Sequence, residues 1–182
     1  DLPVVISDGR GSIRAGGPAS SRRVDNGSLT FTGSSVHGAA LISLRTGPHE
    51  YLLSSYPKPR SFSWFRPFFG GVQPIVYQED WPGNLYQERF RVAPARRGTW
   101  RGIRFAARAA KSALPAGVRV AVDYVTRPGS PLVAAVLEVR NGTRERQSFT
   151  AGFWTFLGLD GKGRCGVRFD RLRARDWSNP SG

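Results

Sequence analysis

A chain of 182 residues with 40% apolar side chains is long enough for one domain with its own core, and too apolar for disorder. No apolar run is long enough to cross a bilayer as a helix. The formal charge is +14, with 24 arginines among 27 basic residues, but the arginines are spread from Arg10 to Arg175 and no helix-turn-helix, zinc-finger, RRM or KH signature appears; this argues against nucleic acid and for a basic surface that is solvated or meets an acidic partner segment.

The first 27 residues are rich in Gly, Ser and Arg and are expected to be a loosely ordered or edge segment, with a β-sandwich domain over 28–182. From Ser28 the sequence SLTFTGSSVHGAALISLRTGPHEYLL reads as short strands joined by tight turns. Asn26-Gly27-Ser28 and Asn141-Gly142-Thr143 both fit a glycosylation acceptor, but Asn-Gly is also a hairpin-turn dipeptide, and we read both as turns. One stretch has helical composition: Phe105–Leu114 (FAARAAKSAL), preceded by Gly102 and closed by Pro115; its first half equally finishes a strand that starts at Trp100. Elsewhere the period is two. Val118, Val120, Val122 and Tyr124 alternate with Arg119, Ala121 and Asp123. Gly129-Ser130-Pro131 turns. Leu132–Val139 is a nearly continuous apolar run, read as a strand buried on both faces. Phe149–Leu159 follows, then a turn at Asp160-Gly161 and a return over Arg164–Leu172. With 22 Gly and 13 Pro punctuating these runs, the pattern predicts an all-β antiparallel protein, a sandwich.

Chemistry-bearing residues are sparse. Cys165 is the only cysteine and falls on the apolar side of its run, so no internal disulfide is available and we read a small buried hydrophobe. His37 and His49 are isolated, and no His/Cys cluster has metal-ligand spacing, so neither metal nor cofactor is expected. The run SFSWFRPFFGGVQP places Trp64, Phe65, Phe68 and Phe69 around Arg66 and ends on the bare backbone of Gly70-Gly71. Trp64, Arg66, Phe69 and Trp81 make a candidate carbohydrate platform: aromatic faces stack on the C–H faces of pyranose rings, and a guanidinium donates to hydroxyls or carboxylates. Glu79 beside Trp81, and His49 after the Gly47-Pro48 turn, join it as rim residues. The competing reading is that these rings simply fill the core. Glu79 and Asp80 are adjacent, and on a strand they point to opposite faces, so they are no obvious acid/base pair unless a turn reorients them.

The order His37-Gly38-Ala39-Ala40, Leu41-Ile42-Ser43-Leu44, Gly47, Glu50, Leu52-Leu53 resembles the opening of galactose mutarotase-like domains. Val120–Thr126, Pro131-Leu132-Val133 and Glu138–Thr143 resemble that family's central hairpin, and the likeness covers residues 28–160. The resemblance implies a large antiparallel β-supersandwich, carbohydrate as ligand and a sugar-binding arginine near Arg66. The stretch in the place of the family's histidine acid, Ala151–Leu157, holds no His. Because such domains are longer, and because the chain closes on polar residues at 177–182, the sandwich is expected to continue beyond Gly182, or to be completed by a second polypeptide segment. The expected function is a carbohydrate-recognising sandwich segment. The alternatives are an interaction sandwich that docks an acidic partner or self-assembles, and a sugar epimerase or lyase completed by another chain.

Overall fold

The computed structural model describes residues 4–7, 12–18, 20–56, 58 and 69–158. Its strands are β1 (Val4–Ser7), β2 (Ser12–Gly16), β3 (Ser21–Asp25), β4 (Thr30–Ser34), β5 (Leu41–Thr46), β6 (His49–Glu50), β7 (Val72–Tyr77), β8 (Arg91–Arg97), β9 (Trp100–Arg108), β10 (Arg119–Thr126), β11 (Ala134–Arg140) and β12 (Thr150–Thr155), with a 3₁₀ turn at Leu85–Gln87. The larger sheet has the order β1-β2-β3-β4-β5-β7-β12, with β6 paired to β5; the smaller is a meander, β11-β10-β9-β8. Every pairing is antiparallel. The two sheets pack face to face as an antiparallel β-sandwich. Among the described residues there is no α-helix.

Alternation makes the core. In β10, Val120, Val122 and Tyr124 turn inward and meet Ile13, Val24 and Phe31 of the larger sheet in one buried cluster. Each such side chain contributes about 1.5–3 kcal/mol when taken from water. Gly33 in β4 lets the sheets close up: a Cβ there would lie 2.6 Å from the Phe105 ring. Tyr124 crosses the core to donate its hydroxyl to the Ala39 carbonyl at 2.9 Å, and burial pushes its phenol well above the ordinary range.

Two polar side chains pin loops to this core. Asn26 is 2% exposed, at the β3–β4 turn. Its amide donates to Thr126 Oγ1 at 2.7 Å and to the Arg127 and Ser130 carbonyls at 2.8 Å, while its Oδ1 accepts from the backbone of Ser28 and Leu29. Glu88, also buried, accepts on one oxygen from the backbone N–H groups of Ala110, Lys111 and Ser112 and from the Ser112 hydroxyl, all at 2.7–2.9 Å.

The stretch 105–114 follows the strand alternative: its first half completes β9, which starts at Trp100 and pairs with β8 and β10, and Glu88 then holds the backbone N–H groups of Ala110, Lys111 and Ser112 in a loop. Two expectations are corrected. The apolar run at 132–139 is not buried on both faces: β11 is an edge strand and Leu132 is 61% exposed. Asn141-Gly142 makes no hairpin, since β11 and β12 lie in different sheets; Asn141 instead forms a local turn, accepting from Thr143 N–H at 2.9 Å and donating to the Glu145 carbonyl. Asn26-Gly27, by contrast, is the β3–β4 hairpin turn, with Gly27 at φ +89°. Residues 160–182, with Cys165 and the run at 164–172, lie outside the described residues.

Candidate functional site

Among the described residues of the expected platform, the most exposed aromatic is on the loop after β7. Trp81 is 56% exposed and rests on Trp154 with ring centroids 5.2 Å apart; Trp154 lies 5.0 Å from Phe156. The loop folds back along its own strand: a Cβ on Gly83 would come within 2.4 Å of the Val76 carbonyl, so a bare backbone is needed there. Glu79 and Asp80, both exposed, line a hollow of about 270 Å³ with Tyr77, Asn84 and Leu114.

A second strand extends this aromatic row. The Leu52–Leu157 bridge, with Leu53 N–H donating to the Phe156 carbonyl at 3.0 Å, sets Leu53 beside Phe156. Alternation puts Tyr51 and His49 on the same side as Leu53. Leu53 is 53% and Tyr51 41% exposed, and the His49 ring meets Tyr51 edge-on at 4.5 Å. Contacts and register thus run from His49 through Tyr51, Leu53, Phe156 and Trp154 to Trp81. Between His49 and Leu53, Glu50 points the other way. It accepts from Ser43 at 2.5 Å, from Leu44 and Leu52 N–H and from Arg45. Burial raises its pKa, but these bonds outweigh that and hold it below the ordinary carboxylate value. Glu50 therefore fixes the strand that carries Tyr51 and Leu53.

The structure brings Glu79 and Trp81 onto one loop and connects them to His49 by way of the aromatic row. Phe69 is elsewhere: half-buried, it takes the His37 ring edge-on at 4.9 Å, and His37 Nδ1 sits 2.7 Å from Ser34 Oγ. Burial lowers the His37 pKa, so at neutral pH this imidazole is a neutral packing group. Gly71, at φ +76°, is bare because a Cβ would stand 2.0 Å from the Leu41 carbonyl; the close approach is to the chain's own β5. Trp64 and Arg66 lie outside the described residues. Sequence reading missed Tyr51, Leu53, Trp154 and Phe156 as surface partners; the i, i+2 spacing of each pair was the available signal, and the pairing between them was not.

Among the described residues no group of His, Cys, Asp and Glu could hold a metal ion, and no helix is long and apolar enough to cross a membrane. No family model matches this chain, and neither a curated protein nor a solved structure gives a match.

Proposed function

We propose that this chain is a carbohydrate-recognising β-sandwich module whose sugar-contacting surface is the Trp81 row. The observation that carries the reading is an indole more than half exposed yet braced ring-on-ring by Trp154, beside two exposed carboxylates. A pyranose offers an apolar C–H face and a rim of hydroxyls. Trp81 takes the face, and Glu79 and Asp80 accept from the rim. Tyr51 and Leu53 give the row length for further sugar units. The galactose mutarotase-like pattern over 28–53 supports the same ligand class. Stacking geometry set in advance by Trp154 lowers the ordering cost of binding.

Trp81→Ala tests this. The expected result is a loss of glycan-array signal equivalent to at least about tenfold in affinity, with a stability change under about 1 kcal/mol because the side chain is mostly in solvent. An unchanged glycan signal, or none in the parent chain, overturns the reading.

A further inference from the structure

Arginines that are far apart in sequence converge on the outer face of the smaller sheet. The register places Arg119 opposite Arg108 on one side and opposite Arg140 on the other, so three guanidinium-bearing residues stand abreast across β9, β10 and β11. Neighbouring strands are about 4.8 Å apart, and like charges directly opposite one another repel. One row on, Ala106 and Ala121 form a low floor between Arg91 and Glu138. Together these residues line a concavity of about 780 Å³.

The same face already shows which anion it holds. Arg97 Nε binds Asp123 Oδ2 at 2.6 Å, Arg104 Nη2 binds Glu138 Oε2 at 2.8 Å, and Arg140 also binds Glu138. Its arginines are thus set up as carboxylate clamps. Arg91, Arg108 and Arg119 are exposed and make no ion pair among the described residues.

We propose that this face docks an acidic polypeptide segment, whose carboxylates seat on Arg91, Arg108 and Arg119 while its backbone lies over the alanine floor. Arginine clusters are a general means of reading acidic motifs. The lining of the concavity, apart from Phe90, which is only 7% exposed, has no aromatic ring on which nucleobases or pyranose faces could stack, which disfavours single-stranded nucleic acid and glycan. The surface is separate from the Trp81 row, and its test is independent of the carbohydrate reading.

The experiment measures fluorescence anisotropy of labelled short poly-L-glutamate with the full chain. The expected result is saturable binding that weakens steeply as salt is raised. Arg108→Ala combined with Arg119→Ala is expected to weaken binding at least about tenfold, while its melting temperature stays at or above the parent value because the like-charge row is relieved. Arg144→Ala with Arg146→Ala removes the same charge from an exposed loop and should leave affinity within about twofold. The proposal is overturned if the loop variant loses as much as the sheet variant, if the sheet variant binds as tightly as the parent, or if polygalacturonate or a single-stranded oligonucleotide binds more tightly than poly-L-glutamate.

Discussion

Replacing Asn26 by alanine is expected to lower the unfolding free energy by about 3–5 kcal/mol, read from urea denaturation midpoints at constant slope. One side chain serves two loops. Its amide satisfies Thr126 Oγ1 and two carbonyls in the turn after β10, and its carbonyl oxygen satisfies two N–H groups in its own turn. Alanine takes this partner from the Ser130 carbonyl and from the Ser28 and Leu29 N–H groups, while Thr126 Oγ1 keeps the Leu132 carbonyl and the Arg127 carbonyl keeps the Ser130 N–H; each group left unpaired where it is buried costs about 1–3 kcal/mol, partly relaxed by rearrangement. Asn26→Asp is the sharper test, because it keeps the Oδ1 acceptor for Ser28 and Leu29 but turns the donor towards three oxygens into an acceptor. It should be at least as damaging as alanine. A loss under about 1 kcal/mol for both would mean that the turn is held by its backbone alone. The same burial excludes Asn26 as a glycan acceptor in the folded state, since its amide nitrogen is spent on three bonds.

Glu88→Ala should cost about 3 kcal/mol, because three backbone donors and a hydroxyl lose a charged acceptor together. Its pH dependence carries a sign. Burial pushes the Glu88 pKa up, but the bonds from Ser112, Ala110 and Lys111 prevail and hold it below its ordinary value. A carboxylate with a depressed folded-state pKa stabilises fully above its unfolded value, about 4.3, and the contribution is lost as pH falls through the lower folded value. The parent's melting temperature should therefore fall on acidification below about pH 4.3, and Glu88→Gln should fall less steeply. Glu50 and Glu138 are depressed as well, so some acid sensitivity remains in the variant. Identical slopes for parent and variant would remove Glu88 from the account.

What was legible in the sequence was what is local. The alternation at 118–124 reads directly as a strand because its two faces differ in chemistry at every step, although Asp123 on the polar face is itself buried. The run at 132–139 misled because apolar composition reports the side chains and not the position in the sheet; small residues such as Ala134 and Ala135 fit an edge as well as a centre. The alanine-rich stretch after Phe105 has real helical propensity, which pairing of residues 106–108 with β8 and β10 overrides, and Glu88 then takes the backbone donors of 110–112 through bonds invisible in the sequence. The candidate site divides the same way. Glu79 and Trp81 are two residues apart and could be paired on sight, whereas the indole that braces Trp81 and the row Arg108, Arg119, Arg140 exist only once register is known.

The order of strands also sets the order in which the molecule can assemble. Strands β8 to β11 are consecutive in the chain and pair only with chain neighbours, so their loop-closure cost is small and the meander can form early. The larger sheet gains its last strand only when β12 returns to β7, matching Thr155 with Val72 across the whole intervening meander. That closure is the topologically slow step. Until it occurs, Trp154 has not reached its place beside Trp81, and the aromatic row is unfinished. The Trp81 row is therefore among the last parts of the protein to mature, and a nascent chain that has not yet released its β12 segment can already hold the arginine face in its final form.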